Sequence, residues 1–128
     1  MDKVTDFEIP VDNMKRAQKF LKSVFGWKFE DWDDIAHVET VSMDKNWVPK
    51  EKGAINGMLF KREKKTDQPR LVINVNSIAK YLDKVKKAKG KVVTPKQEAG
   101  EWGYWAEVMD PEGNIYELWE EKKAGSRK

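Results

Sequence analysis

Phe7, Ile9 and Val11 alternate with Asp6, Glu8 and Pro10, so the start of the chain predicts a strand with one apolar and one polar face. Asp12 or Asn13 then stands where a helix is capped, and Met14, Ala17, Leu21 and Val24 recur at helical spacing. Gly26 supplies a left-handed stop. The same order returns later: Leu71, Ile73 and Val75 form an apolar strand face, Ser77 caps, Ile78, Leu82 and Val85 make a helical stripe, and Gly90 ends it. Setting FEIPVDNMKRAQKFLKSVFGWKF, from residue 7, against LVINVNSIAKYLDKVKKAKGKVV, from residue 71, brings Val11 onto Val75, Asp12 onto Asn76 and Gly26 onto Gly90, at an offset of 64. The chain repeats itself, and each copy opens as strand, cap, helix, glycine and strand.

After each helix the pattern turns to strands, predicted at 27–32, 36–43 and 54–62 in the first copy and at 92–94, 104–109 and 114–120 in the second. Asp110-Pro111-Glu112-Gly113 has proline and glycine where a turn needs them, and joins the last two strands as a hairpin. Polar residues 63–69 predict the linker between a first module of about 4–62 and a second of about 70–120. Neither module alone buries enough surface to stand independently, so a single domain over 1–122 is expected, with a frayed tail at 123–128.

Composition narrows the class. With 128 residues and no cysteine, the chain has no disulfide, no thiolate nucleophile and no cysteine-containing zinc site. MDKVTDFEIPV has no apolar stretch of the signal-peptide kind and no run is apolar enough to span a bilayer, so a cytoplasmic protein without membrane contact is expected. Lys+Arg of 25 against Asp+Glu of 22 gives a net charge of +3, but the acids are mixed through the chain, which argues against a nucleic-acid partner. The lysines of YLDKVKKAKGK fall on a solvent face. GAINGMLF has spaced glycines without a following helix, which indicates close strand packing rather than a phosphate loop.

Three segments, DFEIPVDNMKRAQKFLKSVFGWKFE, GAINGMLFKR and DPEGNIYELWE, resemble the vicinal oxygen chelate superfamily, in particular its small glyoxalase/bleomycin-resistance-like members. The resemblance covers nearly the whole chain. It implies an α+β fold in which two βαβββ modules curl a mixed sheet into a cup with the helices on its convex face. It also implies a homodimer.

In metal-using members one ligand stands at the start of the first strand of each module and one on the last strand of each. Carried onto this chain, the first-strand positions are Asp6 and, at offset 64, Arg70. The last-strand positions are Glu117 and, when Gly53 is matched to Gly113 at an offset of 60, Gly57. Glycine offers no side chain and arginine repels a cation, so the resemblance implies that the usual metal is absent. If an ion of the nickel, manganese, iron or zinc kind is bound, Asp6 and Glu117 would hold it. The sole histidine, His37, occupies no ligand position and reads as a packed or surface residue.

By alternation Asp6 and Glu8, Arg70, and Glu117 with Trp119 should face into the cup. They would make a ligand-binding floor of Asp6, Glu8, Arg70 and Glu117, walled by Trp119 and Leu59, with Trp47 and Trp102 as a rim. The competing reading has Arg70 merely neutralising buried carboxylates. Three functions follow: a small-molecule-binding module without metal; a divalent-metal-dependent lyase, isomerase or dioxygenase; and a protein-contact module. The first is preferred because Arg70 and Gly57 replace half of the expected ligands.

Overall fold

A computed structural model describes residues 1–122, and the stretch expected to fray, 123–128, lies outside the described residues. The elements run β1 (Lys3–Val11), α1 (Met14–Phe25), β2 (Lys28–Trp32), β3 (Ile35–Glu39), β4 (Asn56–Lys61), β5 (Arg70–Asn74), α2 (Ile78–Lys87), β6 (Lys91–Ala99), β7 (Gly103–Met109) and β8 (Ile115–Glu121). They fall into two compact units, Asp6–Pro69 and a second that starts at Arg70 and takes in Met1–Thr5. The chain is α+β, a βαβββ module used twice.

In the first module the strands lie in the order β2-β3-β4-β1, with β1 and β4 parallel and the other neighbours antiparallel. One sheet face is covered by α1: Val11, Ala36, Val38 and Leu59 form the core, and Phe7, Ile9, Met14, Ala17 and Leu21 pack against it. The Asn13 side chain accepts from the Arg16 N–H at 2.9 Å, and Gly26 takes the left-handed stop at φ 72°. Phe20, Val24 and Phe25, in the last turns of α1, are exposed. Gly57 is required by close packing, because a Cβ there would run into the Phe7 carbonyl and ring.

β3 ends earlier than the apolar pattern predicts. Beyond Glu39 the backbone bonds to a side chain instead of a strand: Asn56 Oδ1 accepts from the N–H groups of Thr40 and Val41 at 2.8 and 3.2 Å. The Thr40 hydroxyl donates to the Ile55 carbonyl at 2.7 Å. Buried Asn56 thus closes the strand and starts the loop that follows.

The second module has the order β5-β8-β7-β6, with β5 and β8 parallel. Its core joins Val75, Ile78, Ala106, Val108 and Leu118, under Leu82 and Val85 of α2. Ser77 caps α2, and Glu120 on β8 accepts from the Ile78 N–H at 2.7 Å, placing a carboxylate on the helix N-terminus. The expected glycine stop is corrected in detail. Lys89 takes the left-handed conformation, at φ 69°, while Gly90 is needed because a Cβ would meet the Met109 carbonyl at 2.7 Å. β6 runs past the predicted end at residue 94, because Pro95 sits among register shifts on the outermost strand of this sheet, where a ladder donor is dispensable.

Candidate functional site

Among the described residues each module leaves the sheet face opposite its helix free of helical cover, and these faces carry the predicted site residues. On the second module, β7 and β8 are registered so that Glu107 lies opposite Glu117, Trp105 opposite Trp119 and Met109 opposite Ile115. Alternation puts these six on one face, since Tyr104, Ala106, Val108, Tyr116 and Leu118 pack towards α2. β5 adds Val72 beside Glu117 and Asn74 beside Trp119. The face therefore has a carboxylate pair next to an indole pair.

Arg70, only 9 % exposed, belongs to the same face and is ion-paired through Nη1 with Glu107 Oε2. The other Glu107 oxygen accepts from the Thr94 hydroxyl on β6. Two like charges directly opposite each other on a sheet repel, and a guanidinium bonded to one of them offsets that repulsion. The Trp119 indole is set by a glycine: a Cβ on Gly103 would meet its Cζ2 at 2.7 Å, so the ring lies against bare backbone.

Glu107, Thr94 and Trp105 were not among the residues expected from the sequence. The signal for Glu107 and Trp105 was present, since Asp110-Pro111-Glu112-Gly113 closes between Met109 and Ile115 and its register sets Glu107 against Glu117. The turn is fixed by Asp110, whose Oδ1 accepts from the N–H groups of Glu112 and Asn114 at 2.9 Å and whose Oδ2 accepts from the Tyr116 hydroxyl at 2.7 Å. The Tyr116 hydroxyl, then the Asn114 N–H, hold the Asp110 carboxyl below the usual aspartate range. The shared proton raises the Tyr116 phenol in turn.

On the first module Asp6 and Glu8 of β1 face away from the helix, as expected, with Asp6 beside Asn56 and Glu8, buried, beside Met58. The row continues from Met58 to His37 on β3 and to Glu30 on β2. His37 is packed, 8 % exposed, with its ring stacked on Trp32 at 5.4 Å and meeting Trp47 edge-on at 5.6 Å. Trp32 and Trp47 meet at 61° with centroids 6.0 Å apart. Leu59, expected as a pocket wall, is instead fully buried in the core beneath α1, because it alternates with Met58 and Phe60. Trp102, expected on the rim, is exposed in the turn before β7.

Strand register also revises the ligand equivalence. Val72 pairs with Glu117, and its repeat counterpart Glu8 pairs with Met58, so the first-module equivalent of Glu117 is Met58 and not Gly57. The four positions that the family uses for a metal are then Asp6, Met58, Arg70 and Glu117. A thioether and an ion-paired guanidinium do not suit a hard divalent ion. Among the described residues no three His, Asp or Glu side chains gather closely enough to hold a metal.

Residues 3–118 match the family model of the Glyoxalase/Bleomycin resistance protein/Dioxygenase superfamily, and the chain belongs to that superfamily. No curated protein matches the sequence significantly. Among solved structures it is similar to a glyoxalase/bleomycin resistance protein/dioxygenase superfamily member from Vibrio splendidus 12B01, with 14 % identity, 95 % of this chain and 100 % of that chain covered, and TM-score 0.65. Methylmalonyl-CoA epimerase from Mycobacterium tuberculosis gives 16 %, 97 %, 91 % and 0.61 in the same order. The Mn(II)-bound glyoxalase from Novosphingobium aromaticivorans gives 17 %, 94 %, 40 % and 0.60, so this chain spans well under half of that one. At these identities the likeness concerns the fold. No helix among the described residues is long and apolar enough to cross a membrane.

Proposed function

We propose that the chain is a small-molecule-binding member of its superfamily that works without the family's metal, on the helix-free face of the second module. The observation that carries the reading is the Arg70–Glu107 ion pair: a guanidinium, already bonded to a carboxylate, stands where a metal-using relative has a ligand. With Glu107 and Glu117 on the face against Arg70, and Trp105 beside Trp119, the surface suits a compact molecule with an aromatic or apolar body and hydrogen-bond donors. An anionic ligand is not called for, since Glu107 already answers the arginine.

The experiment is a tryptophan-fluorescence titration with benzylamine, benzyl alcohol and benzoate, for wild type and Trp119→Ala. Saturable responses that rank the amine and alcohol above benzoate, and that Trp119→Ala removes, support the reading. Equal responses in Trp119→Ala, or none from any probe, contradict it.

A second reading, a metal-dependent lyase, isomerase or dioxygenase, draws on Glu117, which keeps the family's position with Glu107 beside it. The homodimer that the resemblance implies is supported by Phe20, Val24 and Phe25, an apolar strip left exposed on α1.

A further inference from the structure

We propose that Trp32, His37 and Trp47 form a binding corner for an organic cation, of the quaternary or alkylated ammonium class, on the helix-free face of the first module. The inference concerns that module alone and does not depend on the reading of the second.

The first observation is backbone strain. Trp47 has φ 63°, a left-handed conformation that a bulky side chain rarely adopts. The other two non-glycine cases have ordinary explanations, Asp33 in a turn between strands and Lys89 at a helix end. Trp47 also closes a turn, from Asp44, but a bulky ring is uncommon in that conformation, and Asn46, the residue type suited to it, stands one place earlier. The loop nevertheless enforces it. Asp44 Oδ1 accepts from the N–H groups of Asn46 and Val48 at 2.8 and 3.1 Å, the Trp47 N–H donates to the Asp44 carbonyl at 3.1 Å, and Met43 and Pro49 bridge the loop's ends. Burial does not account for the strain either, because 52 % of Trp47 is exposed. A strained, exposed aromatic held by a well-bonded loop is an arrangement kept for what the ring meets.

The second observation is geometry. Trp32 is stacked on His37, and Trp47 stands across both, so two indole planes meet at 61° as adjacent walls. Trp32 is 37 % exposed, so both walls present surface to solvent. A cation seated in such a corner lies within about 6 Å of both ring centroids, the range over which a ring's negative face attracts it.

The third is charge. Glu30 is the cross-strand neighbour of His37 and so shares its face, and Asp33 and Asp34 follow Trp32 in the turn. Residues 30–34 carry four carboxylates and no cation. Asp31 is engaged by Gln18 of α1 at 2.7 Å, and Lys28 is matched across the strands by Glu39. Glu30 on the corner's own face, with Asp33 and Asp34 next to Trp32 in the chain, favours a positive guest over a neutral or anionic one, and these acids outnumber Lys45 and Lys50 of the loop that carries Trp47.

The test titrates choline and its neutral isostere 3,3-dimethylbutan-1-ol into the whole chain by isothermal calorimetry, with Trp47→Gly, Trp32→Phe and Trp119→Ala alongside. Wild type is expected to bind choline saturably and the neutral isostere at least about tenfold more weakly. Trp47→Gly should weaken choline by about tenfold or more while its thermal midpoint stays level or rises, because glycine accepts the left-handed conformation. Trp32→Phe should keep weakened binding, and Trp119→Ala should leave it unaltered. Equal binding of the isostere, no saturable choline binding, or Trp47→Gly binding like wild type would overturn the proposal.

Discussion

Arg70 and Glu107, thirty-seven positions apart in the chain, are joined by a part-buried ion pair that ties β5 to β7 within the second module. The side chains are 8 % and 19 % exposed, so neither charge is well hydrated and each depends on its partner. Glu107→Ala is expected to destabilise the fold by about 3 kcal/mol, read as a lower denaturant midpoint with an unchanged slope. Glu107→Gln should lose less, since the amide oxygen still accepts from Arg70. Equal stability of wild type and Glu107→Ala would mean that the pair is not closed in solution.

The Asp110 turn gives a pH dependence with a definite sign. Its folded-state pKa lies below the ordinary value of 3.8, chiefly because the Tyr116 hydroxyl and the Asn114 N–H bond the ionised carboxylate. A lowered folded pKa contributes stability that is present above the unfolded value and is lost as pH falls through the folded one. Asp110→Asn should therefore be less stable than wild type at pH 7, and the gap should narrow steadily below about pH 4. Urea midpoints measured from pH 7 to pH 2.5 check this. A gap that stays constant with pH would show that the loss comes from the turn's geometry and not from its charge.

The exposed strip on α1 tests the proposed dimer. Phe20 and Phe25 meet edge-on at 6.5 Å, and Phe25 packs on Trp27 at 5.3 Å, so the strip is organised even though α1 itself has no fully buried residue. Sedimentation equilibrium should give a dimer for the wild type and a monomer for Phe20→Lys combined with Val24→Lys. An exposed substitution of this kind costs little in folding stability, about 0.5 kcal/mol. A wild-type monomer, or a variant that remains dimeric, would remove α1 from the interface.

The repeat made the fold legible from the sequence. Strands with period-two alternation, helices with apolar stripes and the Asp-Pro-Glu-Gly hairpin each recur at or near the expected places. What escaped was governed by side chains acting on distant backbone. Asn56 ends β3 by replacing its ladder partners, and nothing local to 40–43 announces that. The strand predicted over 92–94 runs on through Pro95, because an outermost strand with register shifts accommodates a proline. Gly90 was chosen for its conformational freedom, whereas its role is to let Met109 approach.

The site was legible in its polarity and less so in its membership. Asp6, Glu8, Arg70, Glu117 and Trp119 all lie on helix-free faces, as alternation required. Leu59 does not, because the assumed strand face was one residue out of step with its neighbours. The same one-residue error put Gly57 in place of Met58, since matching Gly53 to Gly113 aligned two loops and not the two strands. His37 is packed, in keeping with its reading, and the loop at 43–49 adds what the sequence did not show by bringing Trp47 over it.

Elemental analysis of protein purified without a metal-affinity tag, together with thermal-shift titration of Ni²⁺, Mn²⁺, Fe²⁺ and Zn²⁺ against wild type and Glu117→Ala, tests the central claim most directly. The account predicts no stoichiometric metal and no ion-specific shift, with wild type and Glu117→Ala responding alike. A bound metal at one equivalent per chain, or a shift that Glu117→Ala abolishes, would contradict it and return the chain to the metal-dependent side of its superfamily.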